Sequence, residues 1–393
     1  MSFIRSERVA ALFLLVAAAA GLLLANTPAG PTLMSLQDAH LAIAGTPLDL
    51  SVGHWISDGL LAIFFFVVAV ELKNEFAVGQ LNTVAKAVRP AIAALGGVIV
   101  PALIYIAFTA GSGYEGGWPI PTATDIAFAL GVLAVFGKGI PSRLRIFILA
   151  LAILDDIVAI LIIAVFFTAE PNLLYIGLAA VGVALFGLLS SRLAGRYRVL
   201  VGILMALVAV VTWSLTYLSG VHATIAGVAL GLVMMRRPAL RVRHMLEPVT
   251  NGAILPIFAF SAALVAIPQV APSELAAPFW GILIALPVGK IIGIGIGGWL
   301  SSFVGRGARR PHLTLHGLLT AGALGGVGFT VSLLMNELAF ARHDEVADEG
   351  TLAVLLGSSI SIVVAAVLVS TLAAYYRRLR VLREDAQERL REA

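Results

Sequence analysis

The sequence predicts an all-α polytopic membrane protein of about twelve transmembrane helices, the fourth and eleventh of them interrupted. Three observations lead there. The 393 residues are 60% hydrophobic and only 12% charged, with a mean hydropathy of +1.00; a soluble domain is roughly 25% charged. The apolar residues fall in blocks of about twenty, the length a helix needs to cross the hydrocarbon core. Lys and Arg collect in alternate gaps between the blocks, as they do on the cytoplasmic side of membrane proteins. Cysteine is absent, which excludes disulfides and thiolate metal sites. The net charge of +4 does not point to nucleic acid, because the basic residues are spread between spans and form no solvated basic domain.

The spans follow in order, within one transporter domain covering residues 1–393. A short N-terminal segment, 1–8, precedes a first span at 9–26, which is too long for a signal-peptide core and has more spans after it. In the outer loop that follows, residues 45–53 alternate apolar and polar side chains between glycines and predict a small hairpin. The second span, 55–73, opens near Asp58 and closes at Glu71, Lys73 and Glu75. The third is 88–110. The fourth, 120–136, begins within Trp118-Pro119-Ile120-Pro121-Thr122-Ala123-Thr124-Asp125 and leaves only a short apolar run, 126–136. The fifth, 143–168, carries two acids inside an otherwise unbroken apolar run from Ile146 to Phe167. The sixth to tenth are 172–190, 198–215, 219–235, 249–268 and 278–302. The eleventh, 314–337, contains Gly322, Gly325, Gly326 and Gly328 ahead of Phe329-Thr330-Val331-Ser332. The twelfth is 351–375, and a charged tail, 377–393, follows it.

With the N-terminus inside, cytoplasmic loops hold Arg5 and Arg8; Lys73, Lys86 and Arg89; Lys138, Arg143 and Arg145; Arg192, Arg196 and Arg198; Arg236, Arg237, Arg241 and Arg243; and Arg306, Arg309 and Arg310. The tail adds Arg377, Arg378, Arg380, Arg383, Arg389 and Arg391. The opposite loops hold only Arg342, amid Asp344, Glu345, Asp348 and Glu349. A missed or invented span would scramble this division, so both termini are expected in the cytoplasm.

Charges within spans mark the candidate site. Asp155 and Asp156 lie near the middle of the fifth. One carboxylate at that depth costs at least ~2.5–3.5 kcal/mol, and the default reading of such a residue is an ion or proton site. Neighbouring helical residues point roughly 100° apart, so one acid can face an ion while the other faces a partner. Lys290, in Leu286-Pro287-Val288-Gly289-Lys290-Ile291, needs such a partner, and one of the two acids is expected to supply it. Asp125 and Thr124 offer oxygens suited either to a hard cation or to the amides that a broken helix frees. Interrupted spans in corresponding positions of two halves point to a transporter site, and spans three to five and ten to twelve form the expected inverted pair. His222 belongs to the residue type whose charge changes near neutral pH. Glu71 sits with Lys73 and Glu75 at the end of the second span, His244 and Glu247 sit at a cytoplasmic helix entrance among arginines, and His312 and His316 have no evident partner.

These stretches resemble the NhaA-type bacterial sodium/proton antiporters. The matching text is Ala69-Val70-Glu71-Leu72-Lys73-Asn74-Glu75; residues 121–132 around Thr124-Asp125; Ala150-Leu151-Ala152-Ile153-Leu154-Asp155-Asp156; Gly220-Val221-His222-Ala223-Thr224; and Val288-Gly289-Lys290 with Gly328-Phe329-Thr330. Inverted repeats are a property of that family. The resemblance implies that Asp156 is the principal sodium ligand and proton acceptor and that Asp155 is the carboxylate coupled to Lys290. It implies that Asp125 and Thr124 support the site and compensate crossed helix ends, that Glu71 lies near a cytoplasmic funnel, and that His222 is linked to pH response. It also implies a homodimer bridged by the outer hairpin.

The implied activity is secondary, not enzymatic. Sodium, and with it lithium, leaves a bacterial cell across its inner membrane in exchange for external protons. The exchange is electrogenic and pH-regulated, with no cofactor. Two departures stand out. The family's acid followed by two histidines at the entrance of the ninth span is here Arg243-His244-Met245-Leu246-Glu247-Pro248, and its Asn-Ala-Gly after Phe258-Ala259-Phe260 is Ser261-Ala262-Ala263. The alternative function is a sodium-coupled symporter of an organic solute. An intramembrane aspartyl protease fits poorly, since adjacent acids on one helix cannot oppose each other across a peptide bond.

Overall fold

The computed structural model describes residues 7–43, 45, 48–168, 170–193, 197–304 and 313–392. Arg5, Arg196, Arg306, Arg309, Arg310 and His312 lie outside the described residues, as do Thr46 and Pro47 and the side chains of Arg8, Arg380, Arg383, Arg389 and Arg391. The chain is mostly helical. Among the described residues nine helices are long and apolar enough to cross a membrane, or eleven if two bent pairs each count as one span. The expected count of about twelve is thus met only as nine to eleven. The range expected for the eighth span holds a helix of ten residues, Thr224–Val233, only about 15 Å long. The segment before it is not helical because Gly220 turns the chain at φ +77°, a conformation glycine adopts without steric cost.

Two compact units divide the chain. The first comprises Met1–Asn82 and Val158–Pro268. In it, strands His40–Ala42 and Asp49–Ser51 pair antiparallel, with Leu41 opposite Leu50. The hairpin is therefore displaced from the expected 45–53. Leu48 and Leu50 are buried against Ala62, Trp213, Ala223 and Ala226, which draws 49–51 into a strand. Ser51 then caps the turn Val52–His54 and ends it. The chain continues through a π-helical turn, Trp55–Leu60, into Leu61–Ala77. Trp55 stacks on Trp213 at 5.5 Å, and the Trp213 indole donates to the Asp58 carbonyl at 2.9 Å. Residues expected as a loop before the ninth span are instead a helix, Arg236–Val249, leading through Thr250–Ile254 into Leu255–Ala262. Pro238 is compatible with this because it sits in the first turn, where its missing N–H leaves no bond unmade.

The second unit comprises Thr83–Ile157 and Gln269–Ala393. Its apolar core joins Leu133, Ile148, Leu151, Ile294, Leu324 and Val369. The helix Val84–Thr109 crosses Lys290–Ser301 with almost no side chain between them. A Cβ on Gly293 would meet the Gly96 carbonyl oxygen, and one on Gly96 would meet that of Gly293. Such small-residue crossings let helix backbones approach closely in lipid. This one lies a single turn from Lys290 and fixes that side chain's depth.

Gly293→Val should therefore force the crossing apart and destabilise the protein by roughly 1–3 kcal/mol. The thermal midpoint in detergent should fall, whereas Gly177→Val, where a new Cβ meets nothing within 4 Å, should leave it nearly unchanged. Equal midpoints for the two variants would contradict this account.

Candidate ion-binding site

The site is built where two chain segments of the second unit lose helical geometry. In the first, Ile120–Thr122 makes one 3-10 turn, Ala123 and Asp125 are extended, and the helix Ile126–Phe136 begins. Pro119 and Pro121 contribute to the break, since neither has an N–H to donate into a helix. In the second, Leu315–Gly325 and Phe329–Ala339 are bent by 51° around Gly326-Val327-Gly328. Each break exposes backbone carbonyls at one helix end and N–H groups at the next. Inside a membrane these groups need partners from the protein.

Asp125 supplies the acceptors. Its Oδ1 accepts from the N–H groups of Ala127 (3.0 Å) and Phe128 (3.3 Å), capping its own helix. Its Oδ2 accepts from the N–H (3.3 Å) and hydroxyl (2.7 Å) of Thr330, in the first turn of the other helix. Its backbone N–H donates to the Val327 carbonyl at 2.6 Å. A carboxylate has about four acceptor positions, so this one is filled by capping.

Lys290 supplies the donors. Its ammonium donates to the Thr122 carbonyl, to the Thr124 hydroxyl at 3.0 Å and to Asp155 Oδ2 at 2.6 Å. These three bonds use all three ammonium protons. Thr124 in turn donates to the Gly325 carbonyl at 2.7 Å, closing the end of Leu315–Gly325. Lys290 is 0% exposed and Asp155 3%. Breaking a buried pair by removing one partner typically costs about 3–5 kcal/mol, because it strands the other charge.

The acids themselves sit on the helix Ser142–Phe166. Asp155 Oδ1 is buried with no hydrogen-bond partner, the condition of an oxygen left over for a cation. Asp156, also buried, lies within electrostatic reach of Lys290. Thus Lys290 joins Thr124 and Asp155 by hydrogen bonds, Asp125 follows Thr124 directly in the chain, and Asp156 lies within electrostatic reach of Lys290. Thr330 joins them through Asp125. The only sign of it in the sequence is its place two residues after Gly328.

The remaining candidates belong to the first unit. His222 Nε2 meets Asp58 Oδ1 at 3.0 Å, and its Nδ1 lies 2.7 Å from the Thr224 hydroxyl. Glu71 pairs with Arg243 at 3.2 Å. Lys73 caps the far end of Thr224–Val233 through the Leu232 and Met234 carbonyls. His244 is exposed and Glu247 half-buried. Asp58 and Arg243 are thus the partners that sequence reasoning did not connect. Each lies over 150 positions along the chain from the residue it meets.

A family model described as Na+/H+ antiporter 1 matches residues 1–369. The chain belongs to that family. The Na(+)/H(+) antiporter NhaA 2 of Clavibacter michiganensis subsp. michiganensis is 58% identical over 390 residues, covering 98% of this chain and 95% of the relative. The Na(+)/H(+) antiporter NhaA of Tropheryma whipplei (strain Twist) is 44% identical, covering 94% of each. That of Mycolicibacterium smegmatis is 42% identical, covering 96% of this chain and 88% of the relative. With this family and these apolar helices, the chain is a multi-pass membrane protein.

Asp125→Ala should uncap both helix starts at once and lower stability by roughly 2–4 kcal/mol. Asp125→Asn keeps one acceptor oxygen and should lose less. Thermal unfolding of the purified variants checks the order, and a midpoint for Asp125→Ala equal to wild type would reject the capping role.

Proposed function

We propose that this chain is a secondary active antiporter that expels sodium, and with it lithium, in exchange for external protons. The observation that carries this reading is the buried Asp155–Lys290 pair beside Asp156 at the two interrupted segments. The relatives' names speak for exchange with protons and not for co-transport of an organic solute. The whole chain acts as one transporter domain in a bacterial inner membrane. Both termini face the cytoplasm, on the argument from alternate positive loops. It acts as a homodimer joined at the hairpin, whose first strand is exposed.

Exchange follows from competition for one negative charge. Burial disfavours a bare carboxylate, so either a proton or a sodium ion neutralises Asp156. A sodium ion held there also draws on Asp155, through the oxygen that lacks a protein partner. It then competes with Lys290 for that acid. An ammonium deprived of its counter-charge in a dry interior releases its proton. Two protons, from Asp156 and Lys290, thereby trade for one sodium ion, and each cycle moves net charge. The membrane potential acts on that charge at ~2.3 kcal/mol per 100 mV. Asp125 and Thr124 hold the crossing together, and Asp125 does so with its acceptor positions already occupied. The pairs His222–Asp58 and Glu71–Arg243, with His244 and Glu247 nearby in sequence, carry the pH response.

Asp156→Asn should abolish sodium-driven dequenching of a pH probe in everted vesicles; exchange persisting at wild-type rate would move the ion seat elsewhere. Lys290→Gln should retain sodium–proton exchange in proteoliposomes but lose its response to an imposed membrane potential. A variant that still generates current would remove Lys290 from the proton count.

A further inference from the structure

The helix Phe329–Ala339 starts in a strained way. Phe329 has φ +21°, on the left-handed side that bulky residues rarely adopt. Strain of this kind persists only where the surroundings over-determine it, and it clusters at functional sites. Three contacts hold Phe329. Its ring lies edge-on to Phe128, with centroids 4.7 Å apart. The following residue, Thr330, is tied to Asp125 by two hydrogen bonds. The Phe329 N–H donates to the Ser358 hydroxyl at 3.1 Å. Ser358 is 0% exposed and comes from the long helix Asp344–Glu392, which carries none of the residues assigned to the ion site.

This arrangement gives Ser358 a defined task. The Phe329 N–H is an orphan donor at a helix start, and a buried orphan donor needs an acceptor. Asp125 cannot provide one, because both of its oxygens are committed to four other donors. Without Ser358, the Phe329 peptide is free to rotate toward an ordinary helical φ. The Thr330 N–H and hydroxyl then leave the directions in which they meet Asp125 Oδ2. The link runs from Ser358 through Phe329 and Thr330 to Asp125, and from Asp125 to the crossing that seats Lys290 and Asp155.

We infer that Ser358 is a positioning residue of the ion site, holding the strained Phe329 peptide so that Thr330 stays locked on Asp125. The inference rests on reading the crossing as the sodium site. Ser358→Ala should raise the apparent KM for sodium by roughly fivefold, the scale of one lost hydrogen bond, with maximal rate changed less than twofold. Ser358→Thr keeps the hydroxyl and should restore the KM.

A double-mutant cycle supplies the readout that packing alone would not move. Glycine adopts positive φ without strain, so in a Phe329→Gly background the Ser358→Ala effect on KM should largely vanish. Contacting residues that act as a unit are non-additive in this way. If Ser358→Ala does not accumulate in membranes, Ser358→Cys, with its weaker acceptor, is read in its place and should raise KM in the same sense. Wild-type KM in the alanine or cysteine variant overturns the inference, and so does full additivity with Phe329→Gly. Wild type and Asp156→Asn run alongside. An inactive wild type would defeat the antiporter reading, whereas an active wild type, an inactive Asp156→Asn and an unchanged Ser358 variant would defeat only this one.

Discussion

The second unit depends on one constraint: cut helix ends and side-chain charges in a dry interior must neutralise each other. Asp125 meets the N–H groups of two helix starts, and Lys290 meets a carbonyl at the end of a helical turn. An isolated acid or lysine at this depth would be costly, and so would an uncapped break. Placed together, each removes the other's penalty. The same logic explains why Asp125 is a poor candidate for direct ion contact, while Asp155, with one oxygen unpartnered, is a good one. Asp125 and Asp155 thus differ in how many donors reach them.

In the first unit the polar contacts serve a different end. Asp58 is buried and pairs with half-buried His222, and Trp213 reaches the same turn through the Asp58 carbonyl. Glu71 and Arg243 form a more open pair, of the kind that contributes little stability by itself.

Much of the architecture was legible in the chain. Blocks of apolar residues and alternating positive gaps give a polytopic helical protein because hydrocarbon thickness and charge burial act on composition directly. The breaks were legible through Pro119, Pro121 and the glycines at 322–328, since backbone geometry is a local property. Other features were not. The hairpin shifted because Leu48 and Leu50 found a tryptophan cluster built from distant sequence. The segment 236–248 became helix despite its charges, and the eighth span shortened at Gly220.

Local chemistry thus set which residues carry charge at membrane depth: Asp125, Asp155, Asp156 and Lys290 stand out from their apolar surroundings in the bare text. Folding in three dimensions settled which of them pair and which oxygen is left over. Lys290 chose Asp155, Asp125 took Thr330, and the strained peptide of Phe329 came to rest on Ser358. Such choices depend on directions and separations of a few ångströms between residues that are 29 to 205 positions apart. No pattern along a chain encodes those distances, because they arise only when helices cross.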